Sequence, residues 1–277
     1  MLSPKSQLIP NLLLDFHSTP TGGHSGALRT YKRISCGFYW PYMHKFVEQF
    51  VAACDVCQRA KSSSLQPAGL LHPLPIPEQV WKDVSMDFNN GLPTSQGKST
   101  ILVVVDRLSK YGHFLALRHP FTAKSVVEIF LDGVVKHHGI PKSIVSDRDP
   151  VFTSQFWTAL FTALGTTRKM STTNHPQTDG QTEVINRCLE QYLRCFVHNH
   201  PRRWTSFLPW AEFWYNTTFH CSTGMTPFYA LYGRHPPPIS RYSGSSSPVE
   251  AVDQCLVGRD QILFLSSVRR CLRPLIT

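Results

Sequence analysis

Val84-Ser85-Met86-Asp87-Phe88-Asn89, a break at Gly91-Leu92-Pro93, and then Ser99-Thr100-Ile101-Leu102-Val103-Val104-Val105 are the residues that decide the fold. In the first run, apolar side chains alternate with Ser85, Asp87 and Asn89, the period of a strand buried on one face. The second run is continuously apolar and predicts a central strand. Residues 111–117 form a third candidate strand, and 143–145 a short fourth that ends at Asp147. Helical spacing follows. Residues 123–137 carry apolar side chains at 126, 127, 130, 131, 134 and 135 and stop near Gly139. Residues 155–164 are closed by Gly165. Residues 181–197 put Ile185, Cys188, Leu189, Tyr192 and Phe196 on one side, and Thr178 with Gln181 is spaced as a capping box. Strands followed by interleaved helices predict an α/β sheet domain.

The rest of the chain arranges itself around that block. Residues 1–62 hold a Cys pair and several His. Residues 63–77 read as a linker, because Pro67, Pro73, Pro75 and Pro77 bar continuous helix. Residues 78–235 are the core, 236–249 a Pro/Ser linker, and 250–277 a helical tail. Hydrophobic residues at 42% exclude a wholly disordered chain. The longest aliphatic run, Ile101 to Val105, is far short of the roughly 18 residues of a membrane span, so no membrane partner is expected. No secretory signal opens the sequence. An excess of 28 Lys+Arg over 18 Asp+Glu, net +10, favours a polyanion such as nucleic acid.

Eight cysteines without a signal segment point to metal rather than disulfides. Cys54 and Cys57 form a close pair, and His17 and His24 precede them. Two pairs of such ligands suit a tetrahedral structural Zn²⁺. A segment of this size has little core of its own, so a metal worth roughly 10–16 kcal/mol decides whether it folds. His44 lies on a helix-like stretch without a close partner and is the competing ligand.

Among the 18 acids, three are placed to meet. Asp87 lies mid-strand, Asp147 ends a strand in Ser146-Asp147-Arg148-Asp149, and Glu183 begins a polar stripe continued by Arg187, Glu190 and Arg194. Neighbouring strands would bring Asp87 to Asp147, and a helix crossing the sheet edge would add Glu183. Two carboxylates 4 Å apart repel by about 4 kcal/mol at an effective dielectric of 20. Mg²⁺ or Mn²⁺ relieves this, and two such ions can serve a phosphodiester reaction. On pattern alone Asp149 serves equally well, and Glu183 reads equally as a solvated helix residue.

The chain resembles the integrases of gypsy-type LTR retrotransposons, relatives of retroviral integrases, over residues 8–237. The resemblance rests on an ordered set of motifs. His17, Gly23-His24-Ser25-Gly26, Thr30, Tyr39-Trp40-Pro41 and Cys54-Asp55-Val56-Cys57-Gln58 come first. Met86-Asp87-Phe88, Gly91-Leu92-Pro93, Val105-Asp106-Arg107, Ser109-Lys110 and His138-Gly139-Ile140-Pro141 follow. Ser146-Asp147-Arg148-Asp149, Phe152, His175-Pro176-Gln177-Thr178-Asp179-Gly180-Gln181-Thr182-Glu183, Asn186 and Tyr232-Gly233-Arg234 complete it. Asp147 and Glu183 are separated by 35 residues, the family's spacing.

The resemblance implies a ribonuclease-H-like core, a mixed five-stranded sheet with flanking helices, preceded by a small helical zinc-binding domain. It implies Asp87, Asp147 and Glu183 as catalytic residues holding two Mg²⁺ or Mn²⁺, and His17, His24, Cys54 and Cys57 as Zn²⁺ ligands. The implied activity is 3′-end processing and strand transfer of element DNA into target DNA, by a homo-oligomer in the nucleus. Lys110, Asn174, His175, Gln177, Gly180, Gln181, Asn186 and Arg187 are then candidate DNA contacts. The chain departs from the family at Asn174, where an aromatic is common, and at Val184, where a basic residue is common. It stops at Thr277, before the small β module or chromodomain expected there. The competing function is a host-retained, integrase-derived protein that binds DNA or protein without catalysis. A plain ribonuclease-H-like nuclease is a third, which the zinc motif opposes.

Other features have plainer readings. Cys188 and Cys195 read as packing, and Trp204, Trp210 and Trp214 as core. His137-His138 reads as an imidazolium cap at a helix end. Lys169, Arg202 and Arg203 are candidate phosphate contacts or solvated surface.

Overall fold

The structure is a computed structural model, describing residues 2–3, 6–60, 76–170, 180–197, 200–237, 239, 242 and 249–260. Most of the 63–77 linker lies outside the described residues, as do Asn174, His175, Gln177, the Thr178 cap and residues beyond 260.

Four helices make the N-terminal module: α1 (Leu8–His17), α2 (Ala27–Ser35), α3 (Met43–Ala52) and α4 (Asp55–Ala60). Their buried positions recur at helical spacing, Ile9 and Leu13 on α1, Thr30 and Ile34 on α2, Met43 and Val47 on α3. With Trp40 these apolar side chains form one small core.

The core domain begins with an antiparallel meander of β1 (Asp83–Asn89), β2 (Thr100–Asp106) and β3 (Gly112–Leu117). A helical stretch follows as α5 (Ala123–Phe130), a π turn over Leu131–Val135, and α6 (Lys136–His138). Then come β4 (Ser143–Ser146), α7 (Pro150–Thr153), α8 (Gln155–Ala163), β5 (Thr167–Met170), α9 (Gly180–Val197), α10 (Trp204–Thr217), α11 (Pro227–Tyr232) and α12 (Glu250–Asp260). The sheet order is β3-β2-β1-β4-β5, with β4 parallel to β1 and β5 parallel to β4. This is the mixed five-stranded, ribonuclease-H-like sheet.

Strand alternation sorts the side chains into two layers. Val84, Met86, Phe88, Leu102 and Val104 pack with Val126, Val127, Phe130, Trp157 and Phe161 of α5 and α8. Ile101, Val103, Val105 and Phe114 pack on the other face with Ile185, Leu189, Tyr192, Trp204 and Trp214 of α9 and α10. β2 is buried along its whole length because both faces are covered. Trp204 and Trp214 belong to this second layer, Cys195 is buried and Cys188 half-buried.

Two elements differ from their reading in the sequence. Residues 123–138 are helical but carry the π insertion at Leu131–Val135. A Cβ on Gly133 in that turn would lie 2.7 Å from the Leu115 side chain, so β3 comes closest where there is no side chain. β5 has no strand signature in Thr-Arg-Lys-Met, and is held by pairing to β4.

Candidate metal centres

His17 ends α1, Cys54 precedes α4, and Cys57 lies within it. His24 sits in the turn before α2 with φ of 47°, after Gly23 with φ of 62°. The four side chains are buried, and their ligand atoms all lie within 4.8 Å of one another. Cys54 Sγ is 3.4 Å from His24 Nδ1, Cys57 Sγ 3.6 Å from the same atom and 3.4 Å from His17 Nε2. Zn–S of about 2.3 Å and Zn–N of about 2.0–2.1 Å at a tetrahedral angle require S···N separations of about 3.5 Å, so the set fits zinc. The Cys54 thiol is held well below its ordinary pKa. The Cys57 hydrogen bond is the largest cause, and His17 and His24 add to it against burial. That favours the thiolate a metal needs. His17 Nδ1 faces Thr30 Oγ1 at 3.5 Å, which leaves Nε2 for the centre. The competitor His44 instead stands 3.4 Å from Glu48 on α3.

Two of the three carboxylates meet at one end of the sheet. β1 and β4 run parallel with Met86 opposite Ser146, so Asp87 and Asp147 follow at adjacent positions. Asp87 is half-buried. Its Oδ2 accepts from Asn186 Nδ2 at 2.7 Å, and its Oδ1 from the Phe88 amide at 2.8 Å. Burial pushes the Asp87 carboxyl up to about 6, and the charges of Asp147, Asp149 and Glu183 add to this against the Phe88 hydrogen bond. Asp147 is also raised, chiefly by burial. Asn186 Oδ1 is buried without a hydrogen-bond partner among the described residues. Hard oxygen donors whose ionised forms are disfavoured, beside an unsatisfied amide oxygen, fit a divalent cation such as Mg²⁺.

Glu183 stands apart. Its Oε1 pairs with Arg187 at 2.9 Å, one turn along α9, and both side chains are largely exposed. Among the described residues, the three carboxylates do not draw into a cluster as the His/Cys set does. An exposed i,i+4 pair is worth only about 0.3–0.5 kcal/mol, so Glu183 can turn towards Asp87 at small cost.

The structure separates Asp149 from Asp147, which the sequence left equivalent. Asp149 is the N-cap of α7, accepting from the Val151 amide at 2.8 Å, with Pro150 in the first turn. Its own amide donates to Asp147 Oδ1 at 3.1 Å and steadies that carboxylate.

Of the candidate DNA contacts, Gly180 and Gln181 open α9. Asn186 holds Asp87, and Arg187 pairs with Glu183. Lys110 is not brought to the carboxylates. It lies in the β2–β3 turn, at the end of the sheet where Val84 faces Asp106, with Nζ on the Arg107 carbonyl. Lys169 is exposed on β5 opposite Val145, close to the Asp147 end. Arg202 and Arg203 are exposed before α10.

The reading of His138 as a cationic cap is corrected. Its Nε2 lies 2.9 Å from His113 Nε2, and its ring stacks on Trp81 at 3.8 Å. Burial, then His113 and His137, lower its pKa to about 4, so the ring is neutral at pH 7. Glu212, 3.0 Å from His113 Nδ1, completes a carboxylate–His–His chain that no sequence spacing signals.

Residues 4–63 match the integrase zinc binding domain, and residues 76–176 the integrase core domain. Over 250 residues, 90% of this chain, the sequence is 34% identical to the transposon Tf2-3 and Tf2-4 polyproteins of Schizosaccharomyces pombe. The chain spans 18% of the length of those relatives. A chain of the simian T-cell lymphotropic virus intasome, solved with PP2A regulatory subunit B56 gamma, is 18% identical with a TM-score of 0.49, covering 83% of this chain and 81% of that one. The HTLV-2 integrase catalytic core domain solved with magnesium is 17% identical with a TM-score of 0.45, covering 55% of this chain and 97% of that one.

Proposed function

The chain belongs to the retrotransposon integrases, a zinc-binding domain joined to an integrase core, and from that premise we propose that it is a DNA integrase. Its reaction is phosphodiester hydrolysis at the 3′ ends of element DNA, then transesterification of each 3′-hydroxyl into target DNA. The observation that supports this reading is the β1–β4 register, which sets Asp87 beside Asp147 at one end of the sheet, with Glu183 in the first turn of α9.

In this reading Asp87, Asp147 and Glu183 would hold two Mg²⁺ or Mn²⁺ ions, which would supply a stronger attacking oxygen and a stabilised leaving oxygen. The protein's own work is positional. Asn186 and the Phe88 amide fix the two oxygens of Asp87 in one rotamer. The capped turn at Asp149 fixes Asp147. Glu183, on an exposed helix turn, is the member free to move as substrate and cations arrive. The partners are the DNA ends of the element, target DNA and further copies of this chain, and the site of action is the nucleus. His17, His24, Cys54 and Cys57 hold Zn²⁺ in a structural role, because four protein ligands leave no open position.

The test is disintegration of a branched DNA that mimics the strand-transfer product. Wild type with Mn²⁺ or Mg²⁺ is expected to resolve it, and Asp147→Asn to form no product. A folded, zinc-loaded wild type that leaves the substrate intact with either metal overturns the assignment and favours a non-catalytic binding protein.

A further inference from the structure

The segment between the two histidines of the Cys/His centre does not face solvent; it is seated on the core. Trp214 of α10 is buried, and its indole Nε1 donates to Ser25 Oγ at 3.0 Å and to the Gly22 carbonyl at 3.2 Å. A Cβ on Gly23 would lie 2.0 Å from that same nitrogen, so the turn accepts the indole only because residue 23 is glycine. Tyr192 of α9 is buried, and its hydroxyl donates to the Pro20 carbonyl at 2.9 Å. From the module side, half-buried Arg33 donates to the Thr21 carbonyl and reaches the end of α10. There it meets the Trp214 carbonyl at 3.3 Å, Thr217 Oγ1 at 3.1 Å and Thr218 Oγ1 at 2.8 Å. A guanidinium on the last carbonyls of a helix is favoured by the helix dipole. The His24 ring packs 5.6 Å from the Phe196 ring, and α4, which carries Cys57, packs on α9.

The same helix therefore serves both centres. Glu183 lies in the first turn of α9, and Tyr192 and Phe196 lie about 14–20 Å further along it. We propose that residues 20–25 are a docking element through which the zinc module is held on α9 and α10 of its own chain, so that zinc binding and the seating of α9 are coupled. Tyr192 and Trp214 are positioning residues in this scheme: they touch neither metal nor substrate. Any such coupling is reciprocal, since whatever zinc does to the seating of α9, that seating does to zinc affinity. The inference rests on the reading of His17, His24, Cys54 and Cys57 as a zinc site.

The test measures Zn²⁺ affinity of the full chain by competition with a chromophoric chelator, for wild type, Tyr192→Phe, Trp214→Phe and the double variant. Circular dichroism checks that each stays folded. The double variant is expected to bind zinc about tenfold more weakly, within the ~5–150-fold span usual for coupled sites. Wild type alone supplies a second readout that no mutation can confound. Stripping zinc should lower amide-exchange protection in residues 189–197 and 211–218 while sparing β2. Equal zinc affinity in all four proteins, or unchanged protection on stripping, overturns the coupling. An affinity that rises with protein concentration also overturns it, by assigning the dock to a second copy. Failure of wild type to bind zinc is a different result, and removes the zinc reading underneath.

Discussion

Asp87 is the most strained charge at the carboxylate end of the sheet. Its carboxyl rises from 3.8 to about 6, chiefly through burial and then through Asp147, so the native state holds that proton more tightly than the unfolded chain does. The stabilisation this gives is complete below about pH 4, is lost as pH rises to about 6, and stays lost above. Asp87→Asn should therefore raise the melting temperature at pH 7.5 without added Mg²⁺, and the gain should vanish near pH 4. Added Mg²⁺ should stabilise wild type and leave the variant unmoved. A variant no more stable than wild type at pH 7.5 would show that the carboxylate is not desolvated. His138 works with the opposite sign. Burial and then His113 and His137 lower it from 6.5 to about 4, so its stabilisation is complete above about pH 6.5 and is lost as pH falls towards 4. His138→Gln should flatten the acid limb of a stability–pH curve in that window. A limb of unchanged slope would place the acid sensitivity elsewhere, with buried His220, also lowered to about 4, as the next residue to examine. These two residues show what a sequence carries about single side chains. Asp87 is legible because it takes a polar position in the apolar–polar alternation of residues 84–89. The partner of His138 lies 25 positions away on another element, and no local spacing can report that.

Whole elements were legible where one periodicity held from end to end. β1, β2 and α9 follow it, because each buries one fixed face or both. The helical stretch 123–138 keeps its apolar period, but the period is blind to the π insertion, which answers to the close approach of Leu115. β5 was illegible for a different reason: Thr167, Arg168 and Lys169 form a short edge strand whose stability comes from its neighbour's hydrogen bonds. Turn chemistry separates the two acids of 146–149 better than any motif. Asp149 caps α7, so Asp149→Asn should keep both stability and DNA resolution, since Asn caps equally well. Asp149→Ala should cost about 1 kcal/mol, seen as a lowered melting temperature. Loss of activity in Asp149→Asn with an unchanged melting temperature would move the catalytic assignment from Asp147 to Asp149.

At the scale of the whole molecule, net +10 is a statement about partners rather than about fold. The charge is spread along the chain, so a basic surface has to be assembled by folding. Exposed Lys169 sits on β5 beside β4, whose last residue Ser146 precedes Asp147; under the proposed function, a DNA end approaching the carboxylates passes this surface. Binding of a phosphate backbone releases counterions, and a footprint of about 6–10 phosphates makes affinity fall roughly 10³–10⁵-fold between about 50 and 200 mM salt. The full chain on duplex DNA should show that steep dependence, and Asp147→Asn should share it, because removing one acid leaves the cationic surface in place. Lys169→Ala should weaken binding alike on every sequence and reduce the log–log salt slope by about one. A fluorescence-anisotropy titration across salt reads all three proteins. Lys110 supplies the internal control: it lies at the other end of the sheet with its ammonium on the Arg107 carbonyl, so Lys110→Ala should leave the slope unchanged. A slope that responds to Lys110 and not to Lys169 would put the DNA at the β2–β3 turn, away from the acids, and the integrase reading would lose its substrate path.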